Sequence, residues 1–201
     1  MPLVESSLIV LMIWAVLGYL IGSIPFSVVV TKVMGLGNLR EVGSGNIGAT
    51  NVLRTGSKPA AIATLLLDGA KGAIVLLCAR AFAGEDAAQV AALTAMIGHC
   101  YPVWLKFNGG KGVATFLGIL LALAWPAGIA ACVIWLIAAG LTRMSSMGGL
   151  AAAAASGILA VLSGHGTAYL LCTVLTMIVF WRHRANITRI RAGTEPKIGQ
   201  K

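Results

Sequence analysis

Residues 8–33 form a stretch of apolar side chains almost free of charge, and similar stretches recur at about 59–83, 87–105, 113–124, 126–141, 147–163 and 167–181. A helix that crosses a bilayer needs about 20 predominantly apolar residues. Repetition of such stretches along one chain dictates an environment that satisfies backbone polar groups internally, by helices. Only 10% of the residues are charged, against 58% hydrophobic, whereas soluble domains carry about 25% charged residues. That leaves too little polar material to cover a water-facing surface. A soluble enzyme, a disordered chain and a nucleic-acid-binding module are excluded. The fold class implied is all-α: a polytopic integral membrane helix bundle, read as one domain over 1–201.

Met1–Ser7 carries Glu5 and no Lys or Arg, and no small-residue cleavage site closes the first apolar run. The run is therefore expected to be a retained span rather than a signal peptide. Residues 113–141 would make a helix of about 44 Å at 1.5 Å per residue, too long for one crossing. Trp125-Pro126 offers a break, because proline disfavours helix at the residue before it. Ser163-Gly164-His165-Gly166 offers a second. With both breaks there are seven spans. An odd count places every one of the 15 Lys and Arg on one side except Lys71 and Arg80. By the positive-inside rule that side is the cytosol, so the N-terminus is expected outside and the C-terminus inside. The basic excess of +9 is explained this way without nucleic acid. Cys78, Cys100, Cys132 and Cys172 stand far apart in apolar runs and read as small core residues.

Three polar islands fall on the cytosolic side. The first is Gly43-Ser44-Gly45-Asn46-Ile47-Gly48-Ala49-Thr50-Asn51-Val52-Leu53-Arg54. Its glycines let backbone N–H groups approach an anion. Ser44, Asn46, Thr50 and Asn51 add neutral hydrogen-bonding groups, and Arg54 adds a planar fork suited to phosphate. The second is Gly98-His99-Cys100-Tyr101-Pro102 followed by Phe107-Asn108-Gly109-Gly110-Lys111-Gly112-Val113-Ala114-Thr115. Here a glycine turn with a lysine opens into an apolar helix, whose N-terminus favours anions. It is not a nucleotide P-loop: Leu105 stands where the first glycine belongs, and Gly112 where Ser or Thr is required. The third is Arg182-His183-Arg184-Ala185-Asn186-Ile187-Thr188-Arg189-Ile190-Arg191-Ala192-Gly193-Thr194-Glu195. Its basic residues, Arg182 and Arg184 among them, suit a tail lying on anionic lipid, and Glu195 is expected in a flexible end. Within the second span, Asp68 and Lys71 are spaced to meet on one helix face, either as a structural pair or as part of a site.

Chemistry for one or two phosphates at a lipid interface fits these islands. No His is followed five residues later by Asp, as soluble-type acyltransferases require, and no G-x-S-x-G elbow occurs. No HExxH or carboxylate cluster points to a metal, and no cofactor is implied. A transporter of phosphorylated anions would place its site near the midplane, often between repeats. No repeat is visible, and the polar groups gather at one face.

The three islands, together with Leu66-Leu67-Asp68 and Lys71-Gly72, resemble the signature motifs of the bacterial membrane acyl-phosphate:glycerol-3-phosphate acyltransferases, the PlsY family, in order and spacing over nearly the whole chain. The resemblance implies transfer of an acyl chain from acyl phosphate to the 1-hydroxyl of glycerol-3-phosphate, giving lysophosphatidate and phosphate. This would occur in the bacterial inner membrane, with the site facing the cytosol and membrane lipid as a partner. By resemblance, Ser44, Asn46, Thr50, Asn51, Arg54, Lys111, His183 and Asn186 surround the substrate phosphates. Asp68 and Lys71 are carried as further substrate-binding candidates. His99 is placed near the glycerol hydroxyl or the acyl carbonyl, with Ser44, Asn46 and Lys111 as its catalytic companions. The general base is either His99 or a phosphate oxygen of the substrate.

Overall fold

The computed structural model describes residues 1–43 and 45–199, so Ser44 and Lys201 lie outside the described residues. The described residues form ten α-helices: α1 (Leu8–Gly22), α2 (Phe26–Val33), α3 (Ala49–Leu53), α4 (Lys58–Ala83), α5 (Glu85–Cys100), α6 (Val113–Leu123), α7 (Trp125–Thr142), α8 (Ser145–Leu162), α9 (Tyr169–Arg182) and α10 (Arg184–Arg191). Among the described residues there is no strand. Four segments are long and apolar enough to cross a membrane: Leu8–Val33, Lys58–Ala83, Trp125–Thr142 and Ser145–Leu162.

Small residues set the packing. With lipid outside and lipid-like side chains inside, helices associate through close contact rather than through exclusion of water. α1 lies against α5 so tightly that a methyl group on Gly18 or Gly22 would overlap the backbone of Ala91 or Ala95, and one on Gly98 would overlap Tyr19. α4 and α6 meet in the same way, Gly118 against Gly69 and Gly72 against Thr115 and Ile119. The bundle core runs from Val75, Leu76 and Met96 through Phe116 and Ile119 to Ala152, Cys172 and Leu175. The alanines of α8 owe their place to this packing.

Two expected spans are built differently from a simple crossing. The run 8–33 breaks at Ser23-Ile24-Pro25, where Pro25 stands before α2. The segment 113–124 gives a helix of only 11 residues, about 16 Å at 1.5 Å per residue, roughly half of a core of about 30 Å. Its depth is set by hydrogen bonds to its neighbour. Thr115 Oγ1 donates to the carbonyl of Asp68 at 2.8 Å, and Arg80 donates to the carbonyls of Ala122 and Leu123 at the far end. α6 therefore runs beside the second part of α4, and the second polar island occupies the depth that the helix leaves free.

Replacement of Gly22 by Leu is expected to destabilise the bundle by about 1–3 kcal/mol, the range for overpacking. Gly140→Leu, with nothing within 4 Å of its Cβ direction, leaves stability unchanged. Thermal unfolding of the two variants in detergent measures the difference.

Candidate active site

The second island folds back on the end of α5. Gly109 and Gly110 donate their N–H groups to the carbonyls of Cys100 and His99, at 3.1 Å each. A methyl group at Gly109 would overlap the His99 carbonyl, and one at Gly110 would overlap the His99 ring at Nε2. Gly112 has φ of +82°, a left-handed conformation that glycine adopts without cost, and it turns the chain into α6. From the third island Arg182 reaches across, donating to the carbonyls of Gly110 at 3.0 Å and Gly109 at 2.9 Å, with its guanidinium 5.0 Å from the Tyr101 ring. The expectation that Arg182 lies on lipid is corrected: backbone carbonyls exposed by a loop bind it instead. Arg184 does stack outward, on Trp181.

The first island is pinned from within. The Asn51 amide donates to the carbonyls of Leu39 and Val42, at 2.8 and 3.0 Å, so Asn51 closes the loop that carries Gly43. Arg54 Nη1 donates to Asn51 Oδ1 at 3.4 Å, and its stem lies over Gly43, where a methyl group would overlap it. Thr50 Oγ1 lies 3.0 Å from Ser145 Oγ at the start of α8. Asn46 is half-buried in the same loop. Arg40 bridges to the second island by donating to the Asn108 carbonyl at 2.8 Å.

The third island is not a loose tail. Glu195 is buried, accepts hydrogen bonds from Ser146 Oγ at 2.7 Å and Asn186 Nδ2 at 2.5 Å, and pairs with Arg189 at 2.8 Å. The expectation of a flexible end at Glu195 is thus overturned, because three donors hold its carboxylate. Burial alone would raise its pKa, but those three donors outweigh burial and hold it below the usual carboxylate value.

Electrostatics bring the islands together. Burial, followed by the nearby cations Arg189, Arg54 and Arg182, lowers the Lys111 pKa to about 8, and Glu195 opposes the shift. His183 is pushed down to about 4, chiefly by burial, and is neutral at pH 7. Its Nδ1, 2.8 Å from the Val179 carbonyl, then carries the proton, so Nε2 is an acceptor. Hydrogen bonds join the islands: Arg182 holds the Gly109–Gly110 turn beside Lys111, Thr50 meets Ser145, and Ser146 shares Glu195 with Asn186 and Arg189, which makes one cationic centre that also acts on Lys111 through Arg54. Arg182, Arg189, Ser145, Ser146 and Glu195 were not expected there. The signal for the serines was slight, two neutral residues at a helix start.

Asp68, Lys71 and His99 make a second cluster, which meets the glycine turn where the His99 ring packs on Gly110. Lys71 Nζ lies 2.9 Å from Asp68 Oδ1, donates to the Ile24 carbonyl at 2.8 Å and sits 5.7 Å from the Phe26 ring. His99 Nδ1 is 3.7 Å from Asp68 Oδ1. Among the described residues no group of three or more metal-ligating side chains occurs.

An apolar, polytopic helical bundle with a glycine-lined cationic centre between its helix ends defines an integral membrane protein whose polar groups suit an anion. The profile of the family described as glycerol-3-phosphate acyltransferase matches residues 12–193. Relatives of that name are 64% identical in Ruegeria pomeroyi, covering 100% of this chain and 99% of the relative, and 64% identical in Roseobacter denitrificans, covering 99% and 100%. Two crystal structures of PlsY, an integral membrane glycerol 3-phosphate acyltransferase, share the fold. Its glycerol 3-phosphate form has a TM-score of 0.88 and 34% identity, over 94% of this chain and 96% of that one. Its lysophosphatidic acid form has a TM-score of 0.86 and 31% identity, over 94% and 95%. The chain belongs to the glycerol-3-phosphate acyltransferase family, PlsY type.

The lowered pKa of Lys111 predicts a pH dependence. The ammonium is charged below about pH 8 and is lost above it, so kcat/KM is expected to fall as pH rises through about 8. Lys111→Arg, whose guanidinium stays protonated, moves that alkaline limb upward. The pH–rate profiles of both proteins measure it.

Proposed function

We propose that this chain transfers an acyl group from acyl phosphate to the 1-hydroxyl of glycerol-3-phosphate, giving 1-acylglycerol-3-phosphate and phosphate for bacterial phospholipid synthesis. The observation that carries the reading is the meeting of the three islands, where Arg182 holds the turn beside Lys111, Arg54 covers Gly43, and Thr50 meets Ser145 next to the Ser146–Glu195–Arg189 group, four cations with one carboxylate among them. Two substrates that each bring a phosphate need such a surplus of positive charge. The relatives' glycerol 3-phosphate and lysophosphatidic acid forms match an acceptor and a product of this chemistry.

In the reaction the glycerol hydroxyl oxygen attacks the acyl carbonyl carbon, and the carbonyl-to-phosphate oxygen bond then breaks. The electron pair leaves with the phosphate. Arg54 and Lys111 stabilise the charge that grows there, a role for groups set in advance of the reaction. Thr50, Asn46 and Ser44 supply hydrogen bonds from the first island, and Asn186 and neutral His183 supply them from the third. Asn51 acts by shaping the loop. The hydroxyl proton goes to a phosphate oxygen of the substrate, whose second ionisation near pH 6 makes it a base at neutral pH. This fits a His99 ring that packs on Gly110 and faces Asp68.

The single domain is read with seven spans, the two helices α1 and α2 together making the first. The N-terminus is outside and the C-terminus in the cytosol, with the site open to the cytosol and the acyl chain entering from the plasma membrane. A transporter reading has no observation in its favour.

Purified protein in detergent is expected to release phosphate from acyl phosphate only when glycerol-3-phosphate is present. Arg54→Ala and Lys111→Ala each lose about ten- to 150-fold in kcat/KM, as for a charged hydrogen bond of roughly 1.5–3 kcal/mol. Full turnover by both variants at subsaturating substrate rules the clamp out. For the topology, single cysteines at Ser57 and Gly199 in sealed cells, on a background lacking the native cysteines, stay protected from an impermeant thiol reagent. One at Glu85 reacts.

A further inference from the structure

The buried cluster of Asp68, Lys71 and His99 is left without a task by the chemistry above. It lies where five parts of the chain meet. Asp68 and Lys71 are 3% and 4% exposed on α4. Lys71 holds the Ile24 carbonyl at the α1–α2 break, Asp68 offers its own carbonyl to Thr115 at the start of α6, and His99 ends α5. The fifth part is the glycine loop, because the His99 ring fills the space above Gly110 while the His99 carbonyl takes the Gly110 N–H. The residue after Gly110 is Lys111.

The contacts inside the cluster suit a brace rather than a reacting centre. Lys71 Nζ and Asp68 Oδ1, 2.9 Å apart, form a close buried charge pair. His99 Nδ1 faces the same carboxylate oxygen at 3.7 Å and has no closer polar partner among the described residues. Its other nitrogen is turned to the Gly110 backbone. The imidazole is thus held between a fixed charge pair below and the glycine loop above, and a displacement of any member moves the loop.

We propose that Asp68, Lys71 and His99 are positioning residues that set the height and tilt of the Gly109–Gly110 turn, and so place the Lys111 ammonium in the phosphate centre. The glycine at position 110 is then required by the imidazole, which admits no side chain there. This rests on the phosphate-binding reading of Lys111.

The test uses two readouts on the full-length protein in detergent. One is the rate at which an amine-reactive reagent labels Lys111, followed by mass spectrometry, which needs no enzymatic activity. The other is the separation of KM for glycerol-3-phosphate from kcat. In His99→Ala the loop loses its support, Lys111 labels several-fold faster, and KM rises about ten- to a hundred-fold, the scale of a small misplacement of a binding group, while kcat changes far less. His99→Gln keeps the bulk over Gly110 and an N–H for Asp68, and returns both readouts close to the parent values; an amide replaces a spacer but not a base. Where removal of one charge prevents folding, Asp68→Asn with Lys71→Met leaves no unpaired buried charge and gives the same faster labelling. Unchanged labelling of Lys111 in folded His99→Ala and in the double variant overturns the proposal. So does a loss of kcat with KM unchanged that His99→Gln fails to repair, which would make His99 catalytic. Faster labelling in a protein whose parent form transfers no acyl group would keep the brace and remove the acyltransferase reading.

Discussion

A chain inside hydrocarbon has no water to satisfy a backbone group, so every interruption of a helix must find its partner within the protein. Among the described residues, three such interruptions have a cation as their partner. Lys71 takes the Ile24 carbonyl where α1 gives way to α2. Arg182 takes the carbonyls of Gly109 and Gly110, and Arg80 takes those of Ala122 and Leu123 where α6 stops. Lys71 and Arg80 are also the two basic residues that the charge asymmetry of the chain leaves over. Their role as backbone partners explains why they sit away from the other cations. Each is in turn neutralised, Lys71 by Asp68 and Arg80 by Glu85, because a lone charge at such a place is costly.

The cationic centre follows from these repairs. A short α6 leaves room for a glycine loop, and the loop brings Lys111 inward from the surface. Arg182 holds that loop with two hydrogen bonds and at the same time adds its charge to the centre. Burial, and after it repulsion from Arg189, Arg54 and Arg182, lowers the pKa of Lys111. Glu195 offsets part of it while tying Asn186 and Arg189 to Ser146. One carboxylate leaves the surplus of positive charge that an anionic ligand then relieves.

The sequence reveals those features that contrast with an apolar background. The first island, Gly109–Gly112 with Lys111, and the His183/Asn186 pair stand out because polar residues are scarce. The Asp68–Lys71 contact follows from helical spacing alone. Other features depend on contacts between distant segments. Ser145 and Ser146 are ordinary residues at a helix start until Thr50 and Glu195 arrive from 95 and 49 positions away. Arg182 has the composition of a lipid-facing basic residue, and only the folded-back loop shows what it binds. The shortness of α6 was legible, because Gly112 and Trp125-Pro126 bound the apolar run on either side. The break at Pro25 had a local signal in the proline itself, masked by the apolar residues on either side.

Rigidity at the loop has a consequence for selectivity between substrate and transition state. A lysine on a flexible turn would follow whichever phosphate arrives and bind ground state and transition state alike, which lowers KM without raising kcat. Here the turn is fixed on three sides: by backbone hydrogen bonds to the end of α5, by Arg182 and by the His99 ring. The remaining freedom of Lys111 is that of its own side chain. An ammonium held in this way acts most strongly on negative charge at a fixed distance from the glycine turn. The same three constraints make each glycine in the turn irreplaceable for a different reason: Gly109 by the His99 carbonyl, Gly110 by the imidazole, and Gly112 by its left-handed backbone.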